Sequence, residues 1–499
     1  MRGAFFLVYA YLIELYRRSL MISTRTMFLI YAPKFNWFRR FNSTARTYAE
    51  FLKAKRRIPA YRDFLKQQGF KKMTFNGLMP KLDTIPIMDK VNYVKVYSID
   101  ERCNYGKMPY KDVVIDESSG SSGTPTNWVR GKVERKRNAK FIRFGVRNLL
   151  GSGPIFIINA FALGPWATGM NISMSCVKFS ILKSLGPDEN KIINTLQQFG
   201  PNHHFVIMGY PPFLKLLVDK APIDWHAYHV TFIFGGESMS EGMRDYLLSK
   251  GIRNIYSSFG ASDLELNISA ENDFTISIRR LIRDNAAFRE KVCRFTGAIP
   301  MIFQYNPSDF LIETSEEGEL IISITRPKYI SPKIRYNIHD RGHIVGLDEI
   351  YAAMAELGIP SDKILKPKTD LPLLFHYGRA DLTVSFFGSN ISPTDLQETI
   401  FSKPLFSDVI HSFQIQINES KDGDKQLYIC LEKKFGVDKI PLDAQEYQNA
   451  FFDQLAHINQ DFKEARRMIG NPNQFAIEFF NFGQGPFESR DIRIKANYL

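Results

Sequence analysis

The segment Ile115–Asn127, IDESSGSSGTPTN, concentrates the residue types best suited to holding an anion. Glycine lets a backbone turn tightly and expose its N–H groups, and Ser and Thr hydroxyls add donors. The loop follows the apolar run Val113–Val114–Ile115 and is closed by Pro125, an arrangement that suits a polyphosphate. No lysine follows Gly123, so the G-x-x-x-x-G-K-[ST] spacing of a Walker loop is missing. Ser/Gly runs also serve as flexible linkers, so the loop alone leaves both readings open. Cys103, Cys176, Cys293 and Cys430 are scattered without C-x-x-C pairing. That argues against a disulfide framework or structural zinc and for a reducing, cytoplasmic compartment. The histidines form no H-E-x-x-H, and His203–His204 reads as a loop or helix pair. Asp340, standing before Arg341–Gly342, reads by default as a turn residue.

The elements that must position such groups are legible in the hydrophobic pattern. Thr47–Gln68 reads as helical segments broken near Pro59, and Glu134–Leu149 as a basic helix. Pro154–Phe161, His204–Met208, His229–Phe234 and Asn254–Ser258 read as strands, the third stopping at Gly235–Gly236. Asp188–Phe199, Pro212–Asp219 and Ser240–Lys250 read as the helices between them. This alternation predicts an α/β fold with a parallel sheet, whose ligands bind beyond the carboxyl ends of the strands. From Phe310 the texture changes: Phe310–Glu313, Gly318–Thr325, Ile334–Ile338 and Gly342–Gly346 suggest an antiparallel β subdomain. After a boundary near His376–Leu382 come strands Phe413–Asn418, Gln426–Lys433 and Phe475–Phe480, with helices Pro393–Phe401 and Gln445–Arg467, a small α+β domain.

A chain of 499 residues predicts more than one domain. The formal charge of +13 suits nucleic acid, an anionic membrane, or a polyanion such as ATP or coenzyme A. No aromatic-interleaved RNA motif, zinc-finger spacing or basic zipper is present, which disfavours nucleic acid. The clusters at Lys53–Arg57, Lys132–Arg137 and Arg279–Arg283 read as a solvated basic face. The 41 Phe and 22 Tyr can build both core and an aromatic pocket. Ala4–Ile13 is apolar but is ended by Glu14, Arg17 and Arg18, short of the roughly 18–20 residues that span a bilayer. Residues 1–40 therefore read as a helical extension packing on the body, or as an over-long start with Met21 as initiator, and remain compatible with peripheral membrane contact.

Five segments, in order, resemble the adenylate-forming superfamily, specifically its phenylacetate–CoA ligase branch. They are Ser118–Thr126 (SSGSSGTPT), Phe234–Arg244 (FGGESMSEGMR), Phe259–Asp263 (FGASD), Glu317–Gly342 (EGELIISITRPKYISPKIRYNIHDRG) and Gly378–Leu396 (GRADLTVSFFGSNISPTDL). That branch, like this chain, commonly has Thr where other adenylating enzymes have Lys in the first loop. The resemblance implies an α/β fold: an AMP-binding domain over residues 41–380, with mixed sheets and a small β subdomain, then a mobile α+β lid over 381–499. It implies activation of a carboxylic acid, aromatic or fatty, by ATP and transfer of the acyl group to coenzyme A. A homodimer is the arrangement common among relatives.

By the same resemblance Ser121, Ser122, Gly123 and Thr124 hold the β- and γ-phosphates, and Gly236, Glu237, Phe259 and Gly260 line the nucleotide site. Ser262 contacts the α-phosphate, Asp263 stands beside Mg²⁺, Asp340 accepts from the ribose hydroxyls, and Arg379 lies near ribose and phosphates. Asp381 is the hinge, Gly388 lines the path of the coenzyme A arm, and Trp166 is a pocket wall or a core residue. The C-terminal catalytic cation is Lys495 or, in the register R-D-I-R, Arg490. Departures from the pattern are Phe259 for Tyr, Asp263 for Glu, Leu382 for a second Asp and Phe387 for Arg. They keep two alternatives open: the same fold with an amine, hydroxyl or carrier-protein acceptor, or a catalytically degenerate nucleotide-binding protein. Asn267–Asp273 carries no Cys/His cluster, so no zinc is expected.

Overall fold

A computed structural model describes residues 2–31, 35–117, 126–295, 298–379, 384–386, 389–419, 425–459, 462–463, 466–467 and 474–488. Its centre is one mixed sheet of 11 strands. Ile181–Ser184, Phe156–Asn159, His204–Gly209, His229–Phe234 and Asn254–Phe259 lie side by side and parallel. Phe205, Val206, Ile207, Val230 and Phe232 are fully buried, as in parallel strands covered on both faces. The predicted strand–helix alternation is present, with helices Glu189–Phe199, Pro211–Lys220 and Glu241–Ser249 between strands. Ser240 caps the last of these, its hydroxyl accepting from Met243 N at 3.1 Å.

The antiparallel strands do not form a separate sheet. They continue the same one in the order Ser269–Ala270, Met301–Tyr305, Leu373–Arg379, Tyr336–Val345, Glu319–Ile324, Phe310–Thr314. The pieces expected at Ile334–Ile338 and Gly342–Gly346 belong to a single strand, Tyr336–Val345. Its register shifts between Arg341 and Gly342, and His339 takes a left-handed φ of +58°, which explains the broken pattern in the sequence.

One reading of charged residues is corrected. Arg137 and Arg279 are buried, not solvated: Arg279 Nη1 pairs with Glu241 Oε1 at 2.7 Å, and Arg137 pairs with Glu14. His204 opens a strand and stacks on His229 with ring centroids 3.9 Å apart. Burial, with His229 beside it, pushes its pKa down to about 4.

The C-terminal lobe holds strands Ile410–Glu419, Lys425–Lys433 and Phe475–Phe480, with helices Pro393–Phe401 and Ala444–Ile458 around a separate core that includes Leu396, Phe406, Ile429, Tyr447 and Phe451. The helix expected over Gln445–Arg467 ends at Ile458, where the Asn459 N–H bonds back to Leu455 O at 2.8 Å. At the other end, helices Arg2–Leu20 and Asn36–Arg57 lie together, Phe6 against Tyr48 with ring centroids 5.4 Å apart; the second helix runs through residue 40. Among the described residues no helix is long and apolar enough to cross a membrane.

Candidate active site

Two of the parallel strands end in backbone that only glycine fits. After His229–Phe234, a Cβ on Gly235 would lie 2.9 Å from the Ser258 carbonyl oxygen, and Gly236 has φ +82°. After Asn254–Phe259, a Cβ on Gly260 would come within 2.5 Å of the Leu266 carbonyl. The chain therefore folds straight back. Ala261 N donates to Glu265 O at 2.9 Å and Leu264 N to Ala261 O at 3.0 Å, so Ser262 and Asp263 stand on a tight turn.

Asp263 is oriented from outside its own turn. The Tyr336 hydroxyl donates to Asp263 Oδ2 at 2.8 Å, while Ser262 Oγ lies 3.5 Å from Oδ1. Tyr336 is fully buried, and burial followed by the Asp263 charge raises its pKa, which keeps the phenol a proton donor.

The strands Val113–Glu117 and Asn127–Gly131, which flank the Ser/Gly-rich segment in the sequence, pair antiparallel as a hairpin. Ser121, Ser122, Gly123 and Thr124 lie outside the described residues. Arg130, one of the hairpin's buried residues, binds Asp116 through Nε at 3.3 Å. It also donates through Nη1 to Leu264 O at 2.5 Å and through Nη2 to Ser262 O. One guanidinium thus fastens the hairpin strands to the acidic turn. Burial opposes its charge, but Glu265, Asp116 and Glu134 outweigh that and raise its pKa. Asn171 adds a bond to Asp116 at 3.2 Å.

Lys333 lies under the same hairpin, its Nζ 4.7 Å from the Trp128 ring centroid and 3.3 Å from Ser331 Oγ. Burial, with Arg102 and Arg130 nearby, presses its pKa down to about 7, against the pull of Asp263 and Glu134. The folded value lies below the ordinary 10.5, so between these pH values the unfolded chain binds a proton that the folded chain lacks. The contribution of Lys333 to stability is therefore least favourable below pH 7 and improves as pH rises toward 10. Lys333→Met should raise the thermal midpoint most at low pH, and the difference from wild type should narrow across that window; a gap independent of pH would refute this.

The second group of residues forms where Tyr336–Val345 pairs with Leu373–Arg379. Asp340 stands opposite Arg379, and His376 Nε2 lies 2.9 Å from Asp340 Oδ2. The His376 ring is 4.4 Å from the Phe259 ring, which is only 7% exposed and also packs on Phe303. Phe259, Asp340, Arg379 and His376 are thus gathered at one place. A third group lies beside the hairpin: Glu117 N donates to Pro165 O at 3.0 Å, bringing Trp166 to the base of the loop. Phe161 and Tyr210 meet edge to face with centroids 4.9 Å apart. Burial lifts the Tyr210 phenol to about 12, a hydrogen bond with Thr168 opposing and the charge of Glu237 adding to the rise.

Sequence reasoning alone did not single out Arg130, Tyr336, Lys333, His376 or Tyr210. The usable signal was position: Tyr336 and His376 lie within or beside motifs, while Arg130 and Tyr210 carry no local mark. Asp381, Gly388, Arg490 and Lys495 lie outside the described residues. Among the described residues no cluster of three or more His, Cys, Asp or Glu is placed to hold a metal. A Mg²⁺ bound mainly through substrate phosphates needs only one or two carboxylates, and Asp263 fits that donor set.

No protein-family model matches the chain, and no curated protein matches it by sequence. Solved structures do match. The chain is similar to 2-hydroxyisobutyryl-CoA ligase in its postadenylation state in complex with R3-HIB-AMP, at 13% identity and TM-score 0.66, over 91% of this chain and 88% of that one. The same ligase in its thioesterification state, with 2-HIB-AMP and CoA, matches at 14% identity and TM-score 0.51, over 93% and 89%. The fold of this chain is that of the adenylate-forming ligases.

Proposed function

We propose that the chain is an AMP-forming ligase of the phenylacetate–CoA ligase type, which activates a carboxylic acid with Mg-ATP and passes the acyl group to coenzyme A. The observation that carries this reading is the joining of the loop hairpin to the Ser262–Asp263 turn through Arg130. A carboxylate attacking ATP brings two anions together, so donors and cations must be fixed where negative charge builds. A carboxylate oxygen bonds to the α-phosphorus and the bond to the β-phosphate oxygen breaks, releasing pyrophosphate. The coenzyme A thiolate then attacks the acyl carbon, and AMP leaves. In this reading Asp263 would hold Mg²⁺, whose charge would offset that of the phosphates. Ser262 and the loop hydroxyls bind phosphate, Gly236, Glu237, Gly260, Asp340 and Arg379 hold the nucleotide, and Phe161, Trp166 and Tyr210 wall the acyl group. Phe259 is more buried than a freely stacking ring, so His376, which covers it, shares the adenine face.

Carboxylate-dependent exchange of labelled pyrophosphate into ATP, screened over aromatic, fatty and amino acids, tests the first half-reaction. Silence across the panel with ATP still bound would instead favour a nucleotide-binding protein without turnover. Leu382 and Phe387 in the hinge motif favour a second reading, in which the acceptor is an amine, hydroxyl or carrier protein. Loss of free thiol on addition of coenzyme A separates the two.

The resemblance implies that the small lobe rotates between half-reactions. In this structure its Glu398 caps the Glu241–Ser249 helix, accepting from Glu241 N at 2.9 Å and Gly242 N at 3.3 Å, while Gln397 Oε1 accepts from Ser240 N at 3.1 Å. Glu398→Ala should remove about 1–2 kcal/mol from this docked arrangement. Single-turnover kinetics should then show adenylation slowed several-fold and thioester formation from preformed adenylate unchanged or faster. Equal slowing of both steps would count against a docking role.

A further inference from the structure

The helix Arg2–Leu20 is amphipathic in the reverse of the usual sense. Its buried side includes Phe6, Ala10, Glu14 and Arg17. The charges among these are paired with the body: Arg17 reaches both Asp309 oxygens at 2.7 Å, and Glu14 accepts from Arg46 at 3.2 Å and from Arg137. The outward side carries Phe5, Val8, Leu12 and Leu15, spaced as one helical stripe and 57%, 59%, 57% and 44% exposed. Tyr11 and Tyr16 widen it, and between Ala4 and Tyr16 the only charged residue is the buried Glu14. Tyr9 packs on Phe41 with centroids 5.2 Å apart, and Trp37, one turn before Phe41, is 71% exposed. A continuous apolar face of this kind is a contact surface.

Charge identifies what covers it. Glu14 is the only acidic residue among the first 49, against eight Lys and Arg, and it is turned inward. Arg2 and Arg40 are exposed, and the Arg18 side chain remains 45% exposed while bonded to Glu14. A second copy of a chain with net charge +13 would set like charges against these rims. An anionic lipid surface would not, and Tyr and Trp beside an apolar stripe suit the headgroup boundary. We propose that Arg2–Leu20 lies in the plane of an anionic membrane, with Phe5, Val8, Leu12 and Leu15 at the acyl boundary and Arg2, Arg18 and Arg40 against headgroups. The inward ion pairs hold the helix rigidly to the body, so binding fixes the orientation of the whole protein on the surface.

The test uses the full-length protein and sedimentation with phosphatidylcholine vesicles, alone or with about 30 mol% phosphatidylglycerol. Partitioning should be about tenfold stronger on the anionic vesicles and should weaken with salt. Trp37 should contribute a blue shift in emission on binding that is absent in Trp37→Phe. The double variant Val8→Ser/Leu12→Gln should lose binding by more than about tenfold, with unchanged unfolding midpoint and catalysis in solution. Failure to sediment with anionic vesicles, or binding by the double variant equal to wild type, would overturn the proposal. So would a lipid-free dimer in analytical ultracentrifugation that the double variant dissociates, which would assign the face to a second copy.

Discussion

Replacing Asp263 by Ala is expected to lower carboxylate-dependent pyrophosphate exchange by about three orders of magnitude while leaving the protein folded. The carboxylate stands on a turn set by Gly260, and Tyr336 fixes its orientation by donating to Oδ2 at 2.8 Å. Removing it leaves the buried Tyr336 hydroxyl without that acceptor, a stability cost of about 1–2 kcal/mol. The larger loss is the hard oxygen donor proposed to hold Mg²⁺. Tyr336→Phe provides the comparison: it keeps the carboxylate and loses its orientation, so exchange should fall only about tenfold. Raising Mg²⁺ should recover part of the Tyr336→Phe activity and none of the Asp263→Ala activity. An Asp263→Ala variant that exchanges pyrophosphate at the wild-type rate would remove Asp263 from the metal role.

What the sequence showed, and what it hid, follows from the range of the interactions. His229–Phe234 is a compact apolar run stopped by two glycines, and its bounds are recoverable residue by residue because that signal is local. The hairpin strand Asn127–Gly131 is less legible, since Trp128, Val129 and Arg130 are all buried and no alternation survives. Ser269–Ala270 is two residues long, too short for any period, yet it joins the parallel strands to the antiparallel ones. Without it the antiparallel strands read as a separate subdomain. The candidate site divides the same way. Asp263 and Asp340 stand inside motifs, whereas His376 is a single polar residue in the strand Leu373–Arg379, and only the register with Tyr336–Val345 brings it to Asp340. Arg130 meets carbonyls 132 and 134 residues away, a pairing that no local pattern encodes.

That long-range pairing makes Arg130→Met a strongly destabilising substitution. The buried Asp116 would lose its cation, with Asn171 its remaining side-chain donor, and the carbonyls of Ser262 and Leu264 would lose theirs. Breaking one side of a buried ion pair costs about 3–5 kcal/mol, so the urea midpoint should fall sharply. Arg130→Lys keeps the charge but cannot fork across three acceptors, so it should recover only part of the loss. The double variant Asp116→Leu/Arg130→Met removes both charges, and replacing both partners by apolar groups is often close to neutral. Its stability should therefore return toward wild type. Pyrophosphate exchange should not return, because the hairpin would still lack its tie to the Ser262–Asp263 turn. Recovery of both would reduce Arg130 to a charge partner for Asp116; recovery of stability alone would show that the guanidinium positions one half of the site against the other.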